Sequence, residues 1–173
     1  MHLDSSLIIT TREERDYIMH DKILLDTDLD NDHAIIKAKI LYHLSKPIDN
    51  TLLIGIDPGK RIGISILYMH EEIDSRVVTS IKALIDLITM LTENIDVSKT
   101  IVKIGSGDLR LAMKIALEID YRLNDIDIEL VDEHGTTSSI TDVSSRRRGV
   151  RDRLSARAIA YRRGKNFRTY ILS

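Results

Sequence analysis

Acidic side chains stand at three places in this chain where an apolar or small-residue segment begins or ends. They are Asp57, the pair Asp132 and Glu133, and Asp152. Hard divalent cations prefer oxygen ligands, and carboxylates that lie close together repel one another unless a cation is present. Two or three such groups can hold two metal ions about 4 Å apart around a scissile phosphate. The acids therefore predict a site for two Mg²⁺ or Mn²⁺ ions and the hydrolysis of phosphodiester bonds.

The first acid follows a short apolar segment. Leu53–Ile56 precede Asp57, and Pro58 and Gly59 follow it, a pair that favours a tight turn. Ligand sites gather at the carboxyl ends of strands in open sheets, so Asp57 is the first candidate catalytic residue. The alternative is a turn aspartate that accepts hydrogen bonds from the backbone that follows.

The second acidic position is the pair Asp132 and Glu133, directly after a predicted strand over 127–131. Successive side chains on a strand point to opposite faces, so we expect one of the two to point into a site. The alternative is an Asx-type turn at the end of the strand.

The third acid, Asp152, lies at the start of a predicted helix over 151–163. Ser155, Ala156 and Ile159 follow it at helical spacing and form a small and apolar face. Asp152 belongs to that face, so we expect it to point toward the sheet. The alternative is an aspartate in the first turn that the helix dipole favours.

Two other acidic patterns are weaker. Asp108 precedes a predicted helix, which favours an N-cap over a metal ligand. The alternating acids of 26–32 lack the glycine and the final glutamate of a calcium loop. The chain has no cysteine, and its six histidines show no metal-binding spacing.

Positive charge is concentrated near one end of the chain. The net charge is −2, but the segment 146–168 carries ten Lys or Arg and one acid, a formal charge of +9. Such a tract is typical of a surface that binds a polyanion, although a solvated helix face is the alternative. The residues of this tract that we expect to contact nucleic acid are Arg146, Arg147, Arg148 and Arg151.

Length and composition set the class of protein. A chain of 173 residues, 43% apolar and 30% charged, fits one globular domain with room for a small extra module. No apolar run approaches the roughly 20 residues of a membrane helix, and the first residues lack the pattern of a secretory signal. We therefore expect a cytoplasmic protein without membrane contact.

The hydrophobic pattern predicts an α/β fold with a mixed five-stranded sheet flanked by helices. Three strands in an antiparallel meander should come first, followed by helices that alternate with parallel strands. We expect 1–50 to be an N-terminal helical section of unknown role and 51–173 to be the main domain. The predicted strands are 51–57, 62–69, 76–79, 100–104 and 127–131, and the predicted helices are 11–19, 32–44, 80–94, 109–123 and 151–163.

Three segments resemble motifs of the RuvC and YqgF nucleases of the ribonuclease H-like superfamily, and they occur along the chain in the same order as in that family. Residues 53–67 resemble the first strand and turn, and 151–160 resemble the closing helix. Residues 131–137 resemble the YqgF segment with Asp-Glu-Arg, with His134 and Gly135 in place of the family's Arg and Leu. The resemblance implies a ribonuclease H-like nuclease domain over 51–173.

The resemblance also implies roles for individual residues. It selects Glu133 over Asp132, so that the implied catalytic and metal-binding residues are Asp57, Glu133 and Asp152. It implies phosphate contacts from Lys60 and Arg61, which precede Ile-Gly as in YqgF proteins. The glutamate that RuvC proteins carry on the fourth strand has no counterpart, since Lys103 stands on that strand. This departure favours the YqgF side of the resemblance.

The implied function is a metal-dependent endonuclease for structured nucleic acid, most similar to a Holliday junction resolvase. Relatives on the YqgF side are also linked to maturation of ribosomal RNA precursors, so the partner is a DNA junction or a structured RNA. Cleavage of a symmetric junction requires a homodimer with two-fold related sites. The alternatives are an RNA precursor-processing nuclease and a non-catalytic nucleic-acid-binding module. An ATPase of the actin and sugar-kinase superfamily needs two such domains, which 173 residues do not provide.

Overall fold

A computed structural model describes residues 6–30, 32–45, 50–132 and 148–171 of the chain. Within these ranges it contains eight strands, five α-helices and two short 3₁₀ helices, at Arg15–Tyr17 and Asp26–Asp30. The strands are β1 Ile8–Thr10, β2 Ile23–Leu25, β3 Thr51–Asp57, β4 Ile62–Tyr68, β5 Glu71–Val78, β6 Lys99–Gly105, β7 Ile126–Val131 and β8 Lys165–Asn166. The helices are α1 His33–Ser45, α2 Ile81–Asn94, α3 Leu109–Arg122, α4 Arg148–Ala160 and α5 Phe167–Ile171.

The main sheet has six strands in the order β5-β4-β3-β6-β7-β8. Strands β3, β4 and β5 form an antiparallel meander, and β6 and β7 run parallel to β3. The α/β class, the mixed sheet and the meander are therefore as predicted. The sixth strand, β8, was not predicted; it is a two-residue edge strand antiparallel to β7. Strands β1 and β2 pair in parallel in a separate small sheet.

The two faces of the main sheet differ in how they are covered. Leu52, Ile54 and Ile56 alternate along β3, have no exposed surface and belong to one apolar cluster with residues of α1, α2 and α3. The opposite face of β3 and β4 carries Gly55 and Gly63, and α4 packs directly on both. The sheet is thus a central layer, with the apolar core on one face and α4 on the other.

The N-terminal section packs on the main sheet through α1. Ala34, Ile35 and Ala38 lie in the same apolar cluster as β3. Arg76 of β5 donates to the carboxylates of Asp32, before α1, and of Asp74, the latter at 2.6 Å. The Arg76 guanidinium lowers the pKa of Asp32, and the Asp32 carboxylate raises the pKa of Arg76. This ion-paired network fixes the start of α1 to the edge of the sheet.

The structure corrects three sequence predictions of local structure. The loop expected before 76 is strand, since β5 begins at Glu71 after a two-residue turn in which Met69 and His70 have φ values of 53° and 66°. Positive φ at both positions is the geometry of a type I′ hairpin. Thr11 and Glu14 form the expected capping contacts, but they precede only three residues of 3₁₀ helix. The last long helix is 148–160 rather than 151–163.

None of the helices in the described ranges is both long enough and apolar enough to cross a membrane.

Candidate metal and nucleic-acid site

Strand β3 places Asp57 at its carboxyl end, on the face that α4 covers. Alternation along the strand puts Asp57 on the same side as Gly55. In the antiparallel pairing with β4, Asp57 lies opposite Gly63. Facing Cα atoms in such a pair are about 4.5–5.5 Å apart. The half-buried residue Asp57 therefore lies directly beside Gly63 of the neighbouring strand.

Helix α4 brings Asp152 to the same place because two glycines let it approach the sheet backbone. A Cβ atom added at Gly63 would lie 2.1 Å from the carbonyl oxygen of Asp152 and 3.1 Å from its Cβ. A Cβ added at Gly55 would lie 2.2 Å from the carbonyl oxygen of Ala156 and 2.7 Å from the Cβ of Ala160. No side chain separates helix from sheet at these points.

Asp57 and Asp152 are therefore neighbours, since both adjoin Gly63 on the same face of the sheet. Ala156 and Ile159 of the helix are buried, at 0% and 2% exposure, as the spacing of small and apolar residues predicts. Asp152 retains 24% exposure of its side chain, so its carboxylate reaches solvent at the edge of the sheet. The structure thus brings together two of the three acids that the sequence singles out.

Arg61 forms an ion pair with one of these acids. Its Nη2 donates to Oδ2 of Asp152 at 2.9 Å, between residues 91 positions apart in the chain. The same Nη2 lies 3.9 Å from the position of a Cβ at Gly149, in the first turn of α4. Arg61 was predicted as a phosphate contact, and the structure places it beside the acids, bound to a carboxylate.

Two further predicted cations lie next to the acids in the chain and are exposed. Lys60 follows the turn after Asp57, and Arg151 precedes Asp152. Within the described ranges neither has a hydrogen bond or ion pair, whereas Arg157 of the same helix binds Glu72 of β5 at 3.3 Å. Lys60 and Arg151 therefore offer positive charge to a polyanion.

The remaining predicted contacts lie in the segment before α4. Arg146 and Arg147 are outside the described residues. Arg148 begins α4, and its side chain is outside the described part.

Glu133, the third predicted ligand, also lies outside the described residues. Strand β7 ends at Val131, and because β3, β6 and β7 are parallel, their carboxyl ends lie at one edge of the sheet. Asp132 follows at this edge, is exposed, and its carbonyl oxygen accepts a hydrogen bond from Arg162 at 3.4 Å.

Lys103 stabilises the end of α4 from within the sheet. It pairs with Gly55 in the register of β3 and β6, and its side chain is only 15% exposed. Its Nζ donates to the carbonyl oxygen of Arg162 at 2.6 Å and lies 3.6 Å from the Glu129 carboxylate. From the sequence, Lys103 was recognised only as a residue that stands where RuvC proteins carry a glutamate. Its signal in the sequence is a cation that stands between two apolar strand residues, Val102 and Ile104.

Two weaker acidic patterns have structural roles. The Asp108 carboxylate caps α3 by accepting from the Leu111 amide at 3.0 Å, so the N-cap interpretation is confirmed. In the 26–32 segment, Asp28 binds Lys39 at 2.6 Å, and this contact lowers the pKa of Asp28.

The donor set at the site suits a hard cation, but it is incomplete in the described part of the chain. Asp57 and Asp152 supply carboxylate oxygens, the ligand type that Mg²⁺ and Mn²⁺ prefer. Among the described residues no group of three or more His, Cys, Asp or Glu is placed to hold a metal ion. The two acids therefore fit part of the coordination shell of one divalent ion.

A cavity of about 530 Å³ lies elsewhere, at the opposite edge of the sheet. Four of its charged lining residues form two ion pairs, Lys99 with Asp127 at 2.8 Å and Arg168 with Asp120 at 3.5 Å. The carboxyl end of β3, with Asp57 and Asp152, is the better candidate site, because the exposed Lys60 and Arg151 have no ion pair among the described residues.

No family model matches this chain, and no match was found among the curated proteins or the solved structures.

Proposed function

We propose that this chain is a metal-dependent endonuclease with a ribonuclease H-like fold that hydrolyses phosphodiester bonds in structured nucleic acid. The observation that carries the proposal is that Asp57 and Asp152 both adjoin Gly63 at the carboxyl end of β3. Two acids beside the same glycine at the carboxyl end of β3, with the exposed cations Lys60 and Arg151 close to them in the chain, suit a polyanionic substrate better than a structural role.

The residues that would hold Mg²⁺ or Mn²⁺ are Asp57 and Asp152, with Glu133 as the third ligand that the resemblance implies. When bound, two such ions would activate a water molecule and stabilise the leaving oxygen. The chain's own part is to keep the two carboxylates in position by the packing of α4, and to bind backbone phosphates through Lys60 and Arg151.

The shape of the charged surface favours a polymer over a small phosphate. The exposed cations extend along and beyond α4, with Arg151 near its start and Arg163 and Lys165 after its end. Contacts spread over this length suit several phosphates of one nucleic acid. A four-way DNA junction is the first candidate substrate, and a homodimer would present two sites to its two strands.

Two other functions would use the same surface. An RNA precursor-processing nuclease would use the same acids and cations on structured RNA. A non-catalytic binding module is favoured by Lys103, which occupies the strand where RuvC proteins carry a glutamate, and by the two-acid set among the described residues.

The experiment that tests the proposal is cleavage of labelled four-way DNA junctions and structured RNA with Mn²⁺, comparing wild type with Asp57→Asn. Asp108→Asn is the matched control, because asparagine caps a helix as well as aspartate does and the Asp108 carboxylate caps α3. We expect cleavage by wild type and Asp108→Asn and none by Asp57→Asn. Binding without cleavage in all three proteins would support the binding module instead.

A further inference from the structure

The Arg61–Asp152 ion pair is the starting point of a further inference. Arg61 is 42% exposed and comes from the turn after Asp57, yet its guanidinium reaches back to α4. There it lies beside the first helical turn at Gly149. Helix N-termini carry partial positive charge, so this is an unfavourable position for a cation. The Asp152 carboxylate offsets that cost.

The Arg61 guanidinium also affects the electrostatic repulsion between Asp57 and Asp152. Asp57 and Asp152 adjoin the same glycine, and neighbouring carboxylates repel one another. Arg61 reduces this repulsion by neutralising Asp152, as a bound cation would. A divalent ion on Asp152 would do the same with more charge, and it would repel the guanidinium.

We propose that Arg61 and the catalytic metal compete for Asp152, so that metal binding releases Arg61 to bind a substrate phosphate. This inference rests on the proposed function, because it concerns the same metal site. Once released, the guanidinium lies near Lys60, Arg151 and the start of α4. All of these carry positive charge, so a backbone phosphate becomes its most favourable partner. Metal and nucleic acid would then each increase the affinity for the other, since such coupling is reciprocal.

The experiment is calorimetric titration of Mn²⁺ into the protein without nucleic acid. Arg61→Gln removes the competing charge, and we expect Mn²⁺ to bind about two- to fivefold tighter, the range set by a partly exposed ion pair. Arg61→Lys keeps a cation and should give an intermediate affinity. Lys60→Gln is the matched control, since it removes a neighbouring charge that has no ion pair within the described residues, and its effect should be smaller.

A double-mutant cycle separates competition for Asp152 from a general charge effect. In the Asp152→Asn background, Arg61→Gln should no longer increase Mn²⁺ affinity. An equal increase in Mn²⁺ affinity in the wild-type and Asp152→Asn backgrounds would overturn the inference. Unchanged Mn²⁺ affinity in the Arg61→Gln single variant would also overturn it. Both results would leave the proposed nuclease function intact. Binding by Arg61→Gln but not by wild type would support the inference. Absence of Mn²⁺ binding in every variant would overturn it together with the metal site.

Discussion

Gly63→Ala tests the packing that brings the two acids together. The new methyl group would lie 2.1 Å from the carbonyl oxygen and 2.5 Å from the carbonyl carbon of Asp152. Ordinary contact begins near 3.5 Å, so α4 must move away by about 1 Å or more. Both atoms belong to the backbone and cannot rotate aside. We therefore expect the upper end of the usual cost of overpacking, a loss of about 3 kcal/mol of unfolding free energy.

The matched control is Gly149→Ala, in α4 itself. Among the described residues a Cβ there meets nothing closer than 3.9 Å, and alanine favours a helix over glycine by up to about 1 kcal/mol. Urea unfolding measures both variants. We expect a lower midpoint for Gly63→Ala and an unchanged or higher midpoint for Gly149→Ala, with similar slopes.

The same displacement should affect the proposed activity. A shift of about 1 Å in a catalytic group can reduce the rate about 100-fold. Folded Gly63→Ala, assayed without urea, should therefore lose most of the Mn²⁺-dependent cleavage. If the two glycine variants unfold at the same urea concentration, the direct contact between α4 and β4 is wrong, and so is the adjacency of Asp57 and Asp152.

Three further predictions concern other contacts. Arg76 holds the pKa of Asp32 below its ordinary value of 3.8, so the stability from this carboxylate is present above that pH and is lost as pH falls through the lowered pKa. The difference in urea midpoint between wild type and Asp32→Asn should therefore shrink in acid, and a constant difference would refute the assignment. Lys60→Gln and Arg151→Gln should each reduce the salt slope of nucleic-acid binding by about 0.9, measured by fluorescence anisotropy; unchanged slopes would exclude them as phosphate contacts. Lys103→Met should cost about 1.5–3 kcal/mol in urea unfolding, because a charged donor to a backbone carbonyl is lost, and Lys103→Arg should cost less.

The sequence predicts the elements that carry the acids because their patterns are local. The apolar run before Asp57 and the turn after it define β3 with the observed bounds, 51–57. The small residues after Asp152 identify the buried face of α4. The type I′ turn at Met69 and His70 was missed because neither is the asparagine or glycine that usually marks such a turn. Strand β8 was missed because two polar residues carry no hydrophobic period.

The contacts of the candidate site could not be predicted, because they join residues that are distant in the chain. Arg61 and Asp152 meet only through the packing of α4 on β3 and β4. Gly63 could be recognised as a strand glycine, but not as the point where a helix backbone touches the sheet. Lys103 could not be assigned a role because its hydrogen-bond acceptor, the carbonyl oxygen of Arg162, is distant in the chain.

The docking of α4 also ties the integrity of the site to the packing of one helix. Strand β3 and its sheet neighbours form a layer with its own apolar core, whereas Asp152 reaches Asp57 only when α4 lies on Gly55 and Gly63. A local opening that lifts α4 would therefore separate the acids while the sheet stays intact. Hydrogen exchange at the amides of α4 would then report directly on the fraction of molecules whose two carboxylates are together.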